Sequence, residues 1–174
     1  MSWTNQPIVF YHGTTKRHVA SIKAKVLVDA AALFPLGRVE IPRDFGRGFY
    51  VTTFEKQAVR WAVARFRLEK GQGIVRDIEP VVLKFIVDRE RLGTLRSLWF
   101  VRGSKNAKDF WSLVTHCRRS VNNTNRTPGS TYDLVIGPVA KNLGNEKVFP
   151  SYDQIGFHSP EAAKLLTDPE VIEV

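Results

Sequence analysis

The chain has 174 residues, 43% of them hydrophobic, with 11 Phe, 4 Trp and 4 Tyr. That is enough apolar surface for one self-sufficient core, which excludes a disordered chain, and no run of 18 apolar residues offers a membrane-spanning helix. Lys and Arg total 26 against 17 acids, a formal charge of +9, which fits an anionic partner (nucleic acid, a phosphorylated cofactor or an acidic surface) and equally a domain with solvated cationic faces, without choosing between them. Cys117 is the single cysteine, so no internal disulfide can form. The first seven residues lack the cationic and apolar stretches of a signal peptide. An intracellular, cytoplasmic or nuclear, monomeric protein with no membrane partner is expected.

In chain order, Ile8 to Tyr11 reads as a short buried strand stopping at His12-Gly13. Thr14 or Thr15 offers an N-cap to a helix over Lys16 to Lys25, with Val19, Ala20 and Ile22 turned inward. Pro35, Gly37 and Pro42 break residues 26–43 into an excursion. Gly48 to Thr52 reads as a strand, and Thr53 as the cap of a helix from Phe54 to about Lys70. On that helix Phe54, Ala58, Trp61, Ala62 and Phe66 form the core face, opposite a basic stripe of Lys56, Arg60, Arg67 and Lys70. Such a stripe is more often a solvated face than a phosphate track.

Pro80 to Val87, β-branched and nearly continuous, is the clearest strand and belongs in the centre of a sheet. Leu92, Leu95 and Leu98-Trp99-Phe100 follow in a less regular stretch. Ala107 to Arg119 reads as a helix with Phe110, Leu113, Val114 and Cys117 on one face, which makes Cys117 a packed thiol rather than a nucleophile. Ser120 to Ser130 is a polar loop, Asp133 to Gly137 a strand ended by Gly-Pro, Lys141 to Tyr152 another loop, and Gln154 to Phe157 a short strand. Ser159-Pro160-Glu161 opens a last helix, and Val171 to Val174 forms an edge strand. With no repeat or linker, residues 1–174 read as one α+β domain.

The one cysteine and the four histidines (His12, His18, His116, His158) show no zinc-ligand spacing, and no metal is expected. No Gly-x-Ser-x-Gly elbow, Walker A or Rossmann pattern occurs. Asp44-Phe45-Gly46 is shared with protein kinases, but their other motifs are missing. What remains is His12-Gly13 at a strand end, Tyr50 in a second strand and Gln154 at the start of a third. Read singly, these are a satisfied histidine, a turn glycine, a core aromatic and a sheet-edge amide.

Taken in order, Tyr11-His12-Gly13-Thr14, the block from Asp44-Phe45-Gly46-Arg47-Gly48-Phe49-Tyr50 to Val51-Thr52-Thr53, the segment Tyr132 to Ala140 and Gln154-Ile155-Gly156-Phe157-His158 carry a specific resemblance. The chain resembles a microbial family of ADP-ribosyltransferase-fold domains, related to the His-Tyr-Glu branch of diphtheria toxin and the poly(ADP-ribose) polymerases. The similarity runs from about Val9 to Leu166, and Asp-Phe-Gly-x-Gly-Phe-Tyr is its specific part. It implies an α+β fold with an ADP-ribosyltransferase-like split β-sheet flanked by helices. It also implies NAD as substrate and a macromolecular acceptor, DNA, RNA or protein.

By the same resemblance, His12 hydrogen-bonds the adenosine-side ribose, the Gly13 backbone holds the nicotinamide carboxamide, Thr14 completes the cofactor-binding set and Tyr50 stacks on the nicotinamide. Catalysis would fall to Gln154, His12 and Tyr50. Asp44, Phe45, Gly46 and Gly48 would shape the turn that aims Tyr50.

The departure is Gln154, where the related enzymes carry Glu. An amide keeps a hydrogen bond but has no charge and is no general base. Three outcomes follow: a transferase whose acceptor needs no base, an enzyme using Glu146 or Asp153 nearby, or a domain that only binds. The expected activity is mono-ADP-ribosyl transfer. NAD hydrolysis and a non-catalytic NAD or nucleic-acid module are the alternatives.

Overall fold

The computed structural model describes residues 5–26, 43–103, 107–119 and 132–174. In chain order its elements are β1 (Ile8–Thr15), a 3-10 turn (Lys16–His18), α1 (Val19–Ala24), β2 (Phe49–Val51), α2 (Glu55–Gly71), β3 (Pro80–Val87), α3 (Arg89–Gly93), β4 (Ser97–Trp99), α4 (Ala107–Arg119), β5 (Leu134–Asn142), β6 (Lys147–Phe157), α5 (Pro160–Ala163) and β7 (Glu170–Glu173). The architecture is α+β with two sheets, one in the order β1-β3-β7 and one in the order β2-β6-β5-β4. The chain divides into two compact units. One is built from Met1–Val26, Val51–Thr94 and Lys164–Val174, the other from Leu27–Tyr50 and Leu95–Ala163.

In the first unit β3 is central, as its sequence requires. It pairs antiparallel with β1 from Ile8↔Val87 to Thr15↔Pro80 and with β7 from Val81↔Glu173 to Lys84↔Glu170. β7 is the expected edge strand. Val82, Leu83, Phe85 and Val87 are buried, and α2 packs on β1 and β3.

β1 does not stop at His12-Gly13 but runs on to Thr15, because Pro80 to Leu83 supply backbone partners that far. Gly13 is what lets the helix sit on the strand. A Cβ there would run into the Ala58 carbonyl oxygen and lie 2.7 Å from the Ala62 nitrogen. Only small residues fit at the close approach itself, which falls on Ala58 and Ala62; α2 also buries Gln57 and Glu69. Phe54 and Trp61, expected in the core, are instead about half exposed at 50% and 47%.

Other local expectations change for similar reasons. Thr15 makes no helix cap, because its hydroxyl is committed to Glu69. The helix after it shortens to a 3-10 turn and one six-residue segment, with Val19 and Ile22 half-buried and Ala20 exposed. At α2 the cap position falls on Phe54 rather than Thr53, and the Phe54 N–H donates to Thr52 Oγ1 at 3.1 Å.

In the second unit β5 and β6 form a long antiparallel hairpin, and β4 runs parallel to β5. β5 passes through Gly137-Pro138 instead of ending there. A proline is tolerated because the ladder is irregular between Pro138 and Ala140. Residues expected as a loop, Lys141 to Tyr152, are largely strand. The exposed hairpin end carries polar side chains and so lacks the apolar alternation that marks a strand in sequence.

α4 forms over Ala107–Arg119 with Phe110, Val114 and Cys117 buried, as expected, and Trp111 buried as well. Phe45, Val135 and Ala140 join Phe110, Trp111 and Val114 in one core cluster. Burial, with the Asp44 carboxylate adding to it, pushes the Cys117 thiol up to about 12, so it is a neutral packed thiol. Ser159 caps α5 by accepting from the Ala162 N–H at 3.2 Å. The loop expected at Ser120 to Ser130 and nearly all of the excursion at 26–43 lie outside the described residues. Among the described residues no helix is long and apolar enough to cross a membrane.

One buried charge in the first unit has a measurable signature. The Glu69 carboxylate accepts from Thr15 Oγ1 at 2.7 Å and Arg65 Nε at 2.8 Å, and lies 2.8 Å from His18 Nε2. Burial alone would raise its pKa, but the hydrogen bonds from Thr15, Arg65 and His18 outweigh it and hold the carboxyl at about 2, against an ordinary 4.5. A carboxyl lowered in the fold adds stability that is complete above its unfolded value and lost as the pH falls through its folded one. Urea unfolding of wild type and Glu69→Gln should therefore differ by on the order of 3 kcal/mol at neutral pH, with the difference shrinking between about pH 4.5 and pH 2. A difference independent of pH over that window would show that the charge contributes nothing.

Candidate functional site

The second unit is organised around the turn Arg43 to Gly46. The Gly46 N–H reaches the Arg43 carbonyl at 3.3 Å, and Gly46 has φ 81°, a conformation that favours glycine. The turn buries the Asp44 carboxylate, which is only 4% exposed. Asp44 Oδ1 accepts from Arg118 through Nε at 2.7 Å and through Nη2. Oδ2 accepts from the Ala140 N–H at 2.7 Å and from Gln154 Nε2 at 2.6 Å. One carboxylate thus ties α4, β5 and β6 to the turn.

Gln154 is the expected catalytic residue, and its environment defines what it can do. It lies on β6 opposite Gly137. Its Nε2 donates to Asp44 and, at 3.0 Å, to the Pro138 carbonyl. An amide nitrogen has two protons, and both are committed to acceptors. That fixes the orientation of the amide and leaves Oε1, which no donor among the described residues reaches, to act only as an acceptor. Asp153 neighbours Gln154 on β6, so strand alternation sends its side chain to the other sheet face, and Glu146 sits in the exposed hairpin turn. Neither joins the Asp44 cluster.

Tyr50 is brought to the same turn. Its hydroxyl donates to the Gly46 carbonyl at 2.6 Å and accepts from the Phe45 N–H at 3.2 Å. Burial, more than Arg43 offsets, raises the phenol above its ordinary pKa, so it stays neutral. The Arg43 guanidinium lies 5.4 Å from the ring centroid, and the His158 ring stands edge-on at 5.9 Å. A planar ligand stacking where Arg43 lies would take the place of that guanidinium. His158 Nδ1 is 2.6 Å from the Arg47 carbonyl. A carbonyl can only accept, so Nδ1 carries the proton. Its ring fills the space that Gly48 and Gly156 leave without side chains.

His12, Gly13 and Thr14 belong to the first unit, on β1. There His12 pairs with Leu83, Gly13 with Val82 and Thr14 with Val81. Gly13 and Thr15 face α2, so His12 and Thr14 lie on the opposite face. His12 is half-buried and Thr14 is buried at 5% exposure. Among the described residues, no group of three His, Cys, Asp or Glu side chains is placed to hold a metal ion.

A family model described as a protein of unknown function, DUF3990, matches residues 32–150, more than half of the chain. The chain belongs to the DUF3990 family. No match is found among curated proteins or among solved structures. The DUF3990 match includes Asp44, Tyr50, Arg118, Pro138 and Ala140, the frame of the Asp44 cluster, and lies upstream of Gln154 and downstream of His12.

Sequence reading missed Arg118 and His158 as contributors in this DUF3990 chain, and it treated Asp44 only as a turn residue. The one local signal was an acid placed before a glycine turn, and its partners come from far along the chain.

Gln154→Glu tests the cluster directly. It would set a carboxylate where an amide now touches Asp44, and like charges that close raise the pKa of the introduced carboxyl. A carboxyl raised in the fold is favourable below its unfolded pKa and costs stability as the pH rises. The variant should be destabilised by roughly 2–3 kcal/mol at about pH 8 and less at about pH 5. Adding Asp44→Asn should recover part of the loss at the higher pH. Thermal unfolding of the three proteins at both pH values measures this, and a Gln154→Glu protein as stable as wild type at high pH would refute the contact.

Proposed function

We propose that this DUF3990 chain is a mono-ADP-ribosyltransferase that cleaves NAD at the nicotinamide glycosidic bond and transfers ADP-ribose to a macromolecule, nucleic acid or protein. The observation that carries the reading is the fixed amide of Gln154. With both amide protons spent on Asp44 and Pro138, its Oε1 is a one-way acceptor beside Tyr50's turn. In an ADP-ribosyl site that is the part required for a hydroxyl of the nicotinamide ribose. The order of motifs along the chain and the two-sheet α+β architecture support the same reading.

Chemically, the glycosidic electron pair leaves with nicotinamide and the ribose becomes oxocarbenium-like. Oε1 accepts from the ribose hydroxyl and places partial negative charge beside the developing cation. The hydrogen bond to the Asp44 carboxylate polarises the amide and strengthens that effect. The chain supplies no carboxylate base at position 154, so the acceptor attacks the ribose with a nucleophile that needs little deprotonation. Tyr50 would supply the ring face for nicotinamide. Water as acceptor gives the neighbouring reading, NAD hydrolysis.

Incubation with NAD, with and without RNA, DNA or cell protein, tests the proposal through nicotinamide release and mass gain on the acceptor. NAD at millimolar concentration should raise the Tm, because a ligand of the folded state stabilises it by mass action. Gln154→Ala should lower turnover by about two orders of magnitude with little change in NAD Kd, the pattern of a contact made mainly in the transition state. Release of nicotinamide with no labelled acceptor would favour hydrolysis. NAD binding without release would leave a binding module.

Tyr50 separates ring from hydroxyl. Tyr50→Phe keeps the ring and loses the bonds to Gly46 and Phe45, so it should lower stability by about 1 kcal/mol while keeping NAD affinity. Tyr50→Ala should lose the stacking as well, about 0.5–1.5 kcal/mol of binding. Isothermal titration of both variants decides this, and equal losses of affinity would assign the role to the hydroxyl instead.

A further inference from the structure

The exposed side of α2 is built unlike a solvated helix face. Trp61 and Leu68, seven residues apart, share one side of the helix, Phe54 stands at its N-cap, and the three are 47%, 47% and 50% exposed. Ala64 lies exposed in the same stripe. Lys56, Arg60 and Arg67, all exposed, flank it. The helix carries only two acids, Glu55 and the buried Glu69, against Lys56, Arg60, Arg65, Arg67 and Lys70. Large aromatics are kept from the strand here because the Gly13 contact is made by the backbone at Ala58 and Ala62. That explains why they are not in the core, but not why an exposed position should hold a tryptophan. Grouped exposed apolar side chains rimmed by charge mark an interaction surface.

We infer that this face of α2 binds single-stranded nucleic acid, with Trp61 and Phe54 as stacking platforms for bases and Lys56, Arg60 and Arg67 as phosphate contacts. Flat aromatic faces interleaved with cations are the two elements of sequence-tolerant single-strand binding. The charge excludes the simplest competitor. A second copy docking through the same face would bring two basic stripes together, whereas a phosphate backbone is complementary to them. The surface stands on α2 alone and goes beyond the NAD reading, since its binding needs no NAD.

The test is fluorescence anisotropy of a labelled oligo-dT 15-mer and a mixed-sequence RNA 15-mer, titrated with the full chain in the absence of NAD. Binding should weaken with salt, with a slope of log K against log salt of roughly −2, as three phosphate contacts on a single strand give. Trp61→Ala should weaken binding roughly tenfold with the slope unchanged, and Trp61→Phe should restore part of it. Arg60→Glu with Arg67→Glu should weaken binding more and flatten the slope. Arg89→Glu with Arg91→Glu on α3 makes the same charge change on an exposed helix of the same unit, and it should have a much smaller effect.

Equal losses from the α2 and α3 pairs would reduce the effect to net charge and overturn the proposal. So would Trp61-dependent self-association in sedimentation. Tighter Trp61-dependent binding to poly-glutamate or to phosphatidylglycerol vesicles than to either oligonucleotide would assign the face to an acidic chain or a lipid surface instead. Nicotinamide release from NAD without acceptor, measured on the same variants, reports separately on the NAD site.

Discussion

The second unit depends on a buried carboxylate. A charge removed from water is tolerated only when hydrogen bonds replace its hydration, and Asp44 receives them from Arg118, Ala140 and Gln154. Those donors come from a helix and two strands, so satisfying one side chain sets the position of three elements at once. The turn that delivers Asp44 is in turn closed by the Tyr50 hydroxyl, which both donates to Gly46 and accepts from Phe45. Phe45, the middle residue of that turn, is fully buried among the aromatics of α4. Polar satisfaction and core packing therefore fix the same three residues, and Asp44-Phe45-Gly46 forms one structural device.

The first unit follows a different constraint, the approach of a helix to a strand without side chains between them. Gly13, Ala58 and Ala62 make that contact, and the large apolar residues Phe54, Trp61 and Leu68 are left about half exposed. The charged group that α2 buries, Glu69, is held by Thr15, His18 and Arg65. Each unit thus contains a buried carboxylate answered by an arginine. The surroundings differ: the arginine on Glu69 is on its own helix, whereas the one on Asp44 comes from far along the chain.

Sequence pattern revealed the elements whose burial is one-sided or complete. The β-branched run Pro80–Val87 and the apolar stripe of α4 were legible because periodicity reports burial directly. It failed where another force set the outcome. The hairpin beyond Ala140 is largely exposed on a polar stretch, so alternation is absent although the ladder forms. On α2, size rather than hydrophobicity chose the buried side, and counting apolar residues put Phe54 and Trp61 inside. At the site, the motif residues Tyr50 and Gln154 were visible, but their common tether was not. Asp44 lies 110 residues from Gln154 and 74 from Arg118, and no local pattern encodes such distances.

The topology also has a consequence for how the chain is made. β3 is the middle strand of its sheet, yet its partner β7 follows only after the whole of the second unit has been synthesised. Until Glu170–Glu173 emerges from the ribosome, the edge of β3 from Val81 to Lys84 has no cognate strand. This is an apolar β-branched segment with open N–H and C=O groups, the kind of surface that recruits foreign strands. A nascent or truncated chain lacking that last strand would be the aggregation-prone species, and chaperone dependence during expression should track the lag between the two strands.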